Sequence, residues 1–193
     1  MSTPHQKIPV AVSACLLGRK VRYDGKDKRH LRLVELLQAA SLSAVEICPE
    51  VAIGLGVPRA PLALMIGAEG VRVKGLEDRE RDVTDPLARY AMQVATREPR
   101  LCGMICKSRS PSCGLAVALR DPMGRALPRK VQGRFVHGLL NRLPGLPVIE
   151  EKVLDDEDGW RAFVSAVKEF ACRRGMSSDR VWRPDRANGR IDR

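Results

Sequence analysis

The sequence predicts an α/β domain with a mainly parallel sheet flanked by helices, a Rossmann-like three-layer arrangement. Three observations lead there: valine-rich apolar runs of strand length, amphipathic segments of helical period between them, and 193 residues with 44% hydrophobic content, enough for one ordinary domain. Right-handed crossovers put the strand C-terminal ends of such a sheet on one edge, and ligands bind at that edge.

Ile8 to Ala14 is almost continuously apolar, as a strand covered on both faces must be, and is expected at the centre of the sheet. From Lys28 to Ala40, Leu31, Val34, Leu36 and Leu37 recur with helical spacing and predict a helix with one buried face. Ser43 to Cys48 is the next strand, which completes a strand-helix-strand unit. Two glycines and three prolines between Pro49 and Pro61 predict an ordered loop. Leu62 to Ile66 and Val71 to Lys74 read as a hairpin joined through Gly67 and Gly70.

Thr84 is the expected N-cap of a helix carrying Leu87, Tyr90, Ala91, Val94 and Ala95, with Pro86 tolerated in its first turn and Pro99 beyond its end. Leu101 to Cys106 predicts another interior strand leading into the loop Lys107 to Gly114. Two more helices are expected: Gln132 to Leu143, with Phe135, Leu139 and Leu143 on one face, and Asp158 to Arg173, with Trp160, Phe163, Val167 and Phe170. A strand near Leu146 to Ile149 separates them. The domain is expected over residues 1–175, with residues 176–193 as a basic flexible tail rich in Arg, Pro, Asp and Ser.

No run approaches the roughly 18 apolar residues of a membrane span, and Met1 to Lys7 lacks the apolar core of a secretory signal. A cytoplasmic protein without a membrane partner is expected. In that reducing compartment six cysteines read as buried thiols, ligands or reactive groups rather than a disulfide framework. The formal charge of +11 creates a field that attracts polyanions such as RNA, although solvated arginine can equally confer solubility. Three Phe and two Tyr are too few for an aromatic platform that stacks single strands.

Three cysteines fall at strand ends: Cys15 after the first, Cys48 closing the second, Cys113 in the loop after Leu101 to Cys106. The predicted topology brings them to one edge, where they form a candidate metal site. Cys102, Cys106 and Cys172 read as core packing, the first two on one face of a single strand. A structural zinc wants four closed ligands, often in Cys-x-x-Cys knuckles, and none occurs. Three thiolates suit an open iron-sulfur site whose remaining iron binds a soft substrate atom. An iron-sulfur sensor, or a zinc-containing RNA-binding accessory, is the non-enzymatic alternative.

The segments Val12-Ser13-Ala14-Cys15-Leu16-Leu17-Gly18, Val21-Arg22-Tyr23-Asp24-Gly25, Cys48-Pro49-Glu50, Gly54-Leu55-Gly56-Val57-Pro58-Arg59 and Ser110-Pro111-Ser112-Cys113-Gly114 together resemble the family catalogued as domain of unknown function 523. Its characterised members include thiouracil desulfidases and tRNA 4-thiouridine desulfidases. The likeness covers about the first two-thirds of the chain and continues at Leu146 to Glu151; the helical domain that follows in longer relatives is not expected here. The resemblance implies a 4Fe-4S cluster on Cys15, Cys48 and Cys113, with Glu50 as acid/base group and Ser110, ahead of Ser112, as the serine that positions water or relays a proton. Arg22, Asp24 and Arg59 are candidates for substrate contact, though Tyr23-Asp24-Gly25 reads equally as a turn capped by its aspartate. The implied substrate is a thiolated nucleobase or nucleoside, free or within tRNA.

Overall fold

Ile8–Ser13 forms strand β1, and its last four side chains are buried whichever face they point to, as expected of a strand covered on both sides. The computed structural model describes residues 7–176. β1 pairs in parallel with β2 (Leu42–Ile47) on one side and with β5 (Met104–Cys106) on the other, and β8 (Val148–Glu150) continues in parallel from β5. The resulting order, β2-β1-β5-β8, reverses direction at β1. A crevice therefore opens beyond the C-terminal ends of its central strands. Helices α1 (Leu33–Ala39), α3 (Thr84–Arg97), α4 (Arg134–Arg142) and α5 (Glu157–Arg173) bury their apolar stripes in the core around this sheet, through Leu33 and Leu37, Ala91 and Val94, Phe135 and Leu139, and Phe163 and Val167 respectively.

A second sheet forms from two hairpins, β3 (Leu62–Gly67) with β4 (Gly70–Gly75) and β6 (Val117–Arg120) with β7 (Ala126–Val131), joined by a parallel β3–β6 pairing. The first hairpin follows the sequence reading; the second was not foreseen. β7 carries Pro128, Arg129 and Lys130 on exposed positions, and β6, although its burial alternates, is only four residues long, so the period-2 signal is weak. Leu64, Val73, Val117 and Leu119 form a smaller core beneath this sheet. α3 joins the two cores, placing Leu87 in the small one and Ala91 and Val94 in the large one. Gly138 lets α4 lie close to α3, since a Cβ there would stand 2.9 Å from that of Ala91.

Several elements depart from expectation. The first helix starts at Leu33, not Lys28, because the amides of Lys28 and His30 donate to the carbonyls of Cys15 and Leu16 instead of starting a helix. Leu31 is accordingly exposed. Thr84 does not cap α3: its hydroxyl accepts the Val73 amide at 2.8 Å, while the Asp82 carboxylate accepts the Thr84 amide at 2.9 Å. Part of the Pro49 to Pro61 loop is a short helix, α2 (Pro49–Ala52). Cys102 precedes β5 and so shares no strand with Cys106, although both are fully buried. Cys172 is exposed, not packed. Among the described residues no helix is long and apolar enough to cross a membrane. The tail expectation, from residue 177 onward, lies outside the described residues.

Candidate active site

Each of the three strand-end cysteines is positioned by a different local device. Cys15 sits in a single 3-10 turn, Ala14–Leu17, that ends at Gly18 in the left-handed region (φ 91°). Cys48 is still extended (φ −130°, ψ 96°) and directly precedes α2, where Pro49 takes the first helical position and places Glu50 in the first turn. Cys113 lies in the loop after β5. There the Ser110 hydroxyl accepts the amides of Ser112 (3.3 Å) and Cys113 (3.1 Å). The start of α4 holds the same loop from behind, with the Arg134 and Phe135 amides donating to the carbonyls of Pro111 and Ser112, each at 3.0 Å. Gly133 makes that approach possible: a Cβ would stand 2.6 Å from the carbonyl carbon and oxygen of Ser112.

One cavity of about 510 Å³ opens at this edge of the parallel sheet, and Cys15, Cys48, Glu50, Ser110 and Cys113 all line it. None of the cysteines is in a disulfide. Burial, and then the neighbouring Cys48, push the Cys15 thiol up to about 11 against the pull of Arg22 and Lys107. Burial raises Cys48 as well. Cys113 is held well above its ordinary value by burial and then by Cys106, Glu50 and Cys48, with a hydrogen bond from the Ser13 hydroxyl working the other way. Thiols so disfavoured as bare anions become thiolates when a metal supplies compensating charge. Three unpaired sulfurs from three loops on one cavity fit a cluster that takes one sulfur ligand per iron. A lone zinc fits less well, because among the described residues no three Cys, His, Asp or Glu side chains converge on a point where one ion would sit.

Glu50 is held at both carboxylate oxygens. Arg59 Nε donates to Oε2 and Ser112 Oγ to Oε1, each at 2.8 Å. Arg59 borders the cavity, but besides Glu50 it donates from a terminal nitrogen to the Gly56 carbonyl at 2.9 Å, so its guanidinium turns toward protein more than toward the opening. Arg22 and Tyr23 also line the cavity, the guanidinium lying 5.3 Å from the ring centroid, and the buried Nε of Arg22 has no hydrogen-bond partner. Asp24 does not line it. Its carboxylate accepts the Lys26 amide at 3.1 Å and lies 3.4 Å from Arg22, the capped-turn arrangement. On the opposite wall, Lys107 donates to Glu151 Oε1 at 2.5 Å and to the Ser108 hydroxyl at 3.0 Å.

The sequence model of the 2-thiouracil desulfurase family matches residues 10–151, a span that includes every one of these groups. The chain belongs to that family. A solved structure of a 4Fe-4S-dependent thiouracil desulfidase, TudS, is 30% identical to it, with a TM-score of 0.60 over 78% of this chain and 95% of that one. No curated protein matches. In this member of the 2-thiouracil desulfurase family, Ser13, Tyr23, Lys107, Gly133 and Glu151 support the site without standing out in the sequence. Lys107 and Glu151 each directly follow a parallel strand, β5 and β8, a position that could have marked them. Ser112, second to Ser110 in the sequence expectation, meets Glu50 through space, 62 positions away along the chain.

Proposed function

We propose that this chain removes sulfur from a thiolated uracil by hydrolysis in the reducing cytoplasm, with a 4Fe-4S cluster held by Cys15, Cys48 and Cys113. The observation that carries this reading is the shared cavity, onto which three free cysteines open beside Glu50 and Ser110. When bound, the cluster supplies a thiophilic iron without a protein ligand, a Lewis acid that draws electron density from a thiocarbonyl through its sulfur.

The residues of the chain supply the rest. Glu50 takes a proton from a water as the water oxygen bonds to the thiocarbonyl carbon; a carbonyl then replaces the thiocarbonyl as the carbon–sulfur bond breaks, and the proton on Glu50 and the one left on the attacking oxygen go with the sulfur, which leaves as hydrogen sulfide with no net redox change. Ser110 uses its oxygen to hold the Cys113 loop, and its hydroxyl proton is free to orient that water. Arg22 lines the cavity, where its guanidinium offers the terminal nitrogens to a uracil carbonyl, while its Nε faces the Asp24 carboxylate at 3.4 Å. Tyr23 offers an exposed ring at the cavity.

The formal charge of +11 supports a finer reading in which the thiolated base is 4-thiouridine carried on tRNA. Anaerobic reconstitution with iron and sulfide, followed by assay on 2-thiouracil, 4-thiouridine and 4-thiouridine-containing tRNA, tests both levels. Turnover of at least one substrate with release of sulfide is expected. A colourless protein that holds stoichiometric zinc and leaves all three intact would overturn the reading. Turnover of the small substrates alone, indifferent to salt, would remove tRNA from it.

A further inference from the structure

We propose that Ser112 and Arg59 are positioning residues that fix the orientation of the Glu50 carboxylate in the cavity; the inference rests on the desulfidase reading above. A carboxylate at the end of a glutamate rotates freely about its last torsion, which has only a broad two-fold preference. Here each oxygen has its own donor, Ser112 Oγ on Oε1 and Arg59 Nε on Oε2, both at 2.8 Å. Rotation would break both bonds. Each oxygen keeps acceptor capacity for a water, so the clamp sets direction without occupying the base.

Both donors are themselves immobilised, and by different elements. Ser112 is fully buried, its amide donates to Ser110 Oγ, and its carbonyl accepts the Phe135 and Val136 amides at the start of α4. The Arg59 side chain is 5% exposed and the Glu50 side chain 12%. The Arg59 amide donates to the Tyr23 carbonyl at 2.9 Å, tying it to the turn on the far side of the cavity. Ser112 does not line the cavity, so it acts on substrate only through Glu50. Both contacts also exclude the alternative in which Glu50 hangs into solvent as an ordinary surface carboxylate.

The test uses the cluster-loaded protein. Ser112→Ala is expected to lower kcat by roughly 10- to 100-fold, the usual cost of a misplaced catalytic group. KM should stay within about twofold, because a group acting only in the transition state leaves substrate binding unchanged. Iron and acid-labile sulfide per chain should match the wild type, and Ser112→Thr, which keeps the hydroxyl, should recover most of the rate. Arg59→Met should repeat the kcat-selective loss and Arg59→Lys should partly recover it. Wild-type kcat in Ser112→Ala, a loss confined to KM, or no recovery with Thr would overturn the proposal. So would failure of both Ser112→Ala and Arg59→Met to retain iron and sulfide, since the clamp would then serve the fold. Should the wild type turn over no thiolated uracil, the desulfidase reading falls instead; the infrared carboxylate bands assigned with Glu50→Gln then decide the clamp, with a shift in Ser112→Ala supporting it and identical bands refuting it.

Discussion

Lys107 and Glu151 meet across the edge of the parallel sheet, Nζ to Oε1 at 2.5 Å, with side chains 14% and 16% exposed. The Ser108 amide and hydroxyl both donate to the same carboxylate at 2.6 Å. Lys107 follows β5 and Glu151 follows β8, so this pair ties the ends of two neighbouring parallel strands, and Lys107 itself lines the cavity.

Removing one partner leaves the other charge buried and unpaired. Glu151→Ala should destabilise the protein by about 3 kcal/mol, within the range for a broken buried pair, and lower Tm by roughly 6–12 °C for a chain of this size. Differential scanning calorimetry of the iron-free protein checks this. A drop under about 1 kcal/mol would place the pair among the weak surface bridges.

The same pair should make stability depend on acid. Burial raises the Glu151 carboxyl, but hydrogen bonds from Lys107 and Ser108 outweigh it and hold the group below its ordinary value of 4.5. Its folded value is depressed, so its contribution is complete above the unfolded value and disappears as pH falls through the folded one. Urea unfolding of the iron-free protein from pH 6 down to about pH 3, spanning the usual carboxylate range, should show a steeper loss for wild type than for Glu151→Gln. Parallel curves would assign the acid sensitivity to other carboxylates, Asp82 among them.

Cys15→Ser, Cys48→Ser and Cys113→Ser should each abolish stable iron and sulfide uptake, whereas Cys172→Ser, on the exposed end of α5, should load as the wild type does. Loading should also release protons, one from each ligand thiol beyond those lost by the incorporated sulfide, because burial keeps these thiols protonated at neutral pH. Uptake should therefore weaken as pH falls. Visible absorption, iron analysis and proton release in a weakly buffered solution measure this; pH-independent loading would contradict it.

Gly133→Ala should disturb the Cys113 loop although it changes no ligand. The new methyl would stand 2.6 Å from the Ser112 carbonyl, and relief of such overpacking typically costs roughly 1–3 kcal/mol. Lower iron occupancy and lower Tm should appear together. Full loading with an unchanged Tm would mean that the α4 start yields without moving the loop.

What the sequence made legible was whatever depends on local pattern. β1 stood out because a strand covered on both faces has no polar alternation to confuse with a surface element, and Cys15, Cys48 and Cys113 stood out because each follows a recognisable strand. The start of α1 was misplaced because Leu31 keeps the helical spacing while the amides around it are captured by the Cys15 turn, a non-local bond. β6 and β7 were invisible because the one is only four residues long and the other is charged and exposed. Thr84 resembles a cap in sequence, yet its hydroxyl serves β4 and its amide donates to Asp82. The partnership of Ser112 with Glu50 could not be read locally, since it exists only when the β5 loop and the start of α2 face each other.

The order β2-β1-β5-β8 also governs when the cysteines can work together. Cys15 and Cys48 become neighbours once β1 and β2 pair, but Cys113 joins them only after β5 has been added on the far side of β1 and α4 has closed behind its loop. During synthesis the first two thiols therefore emerge well before the third has a place to stand. On the ligand set proposed above, a nascent chain offers an iron donor an incomplete set of sulfurs, and cluster delivery becomes an event of the finished domain. Insertion machinery acting on this chain would have to recognise a folded surface at the sheet edge, not an extended segment.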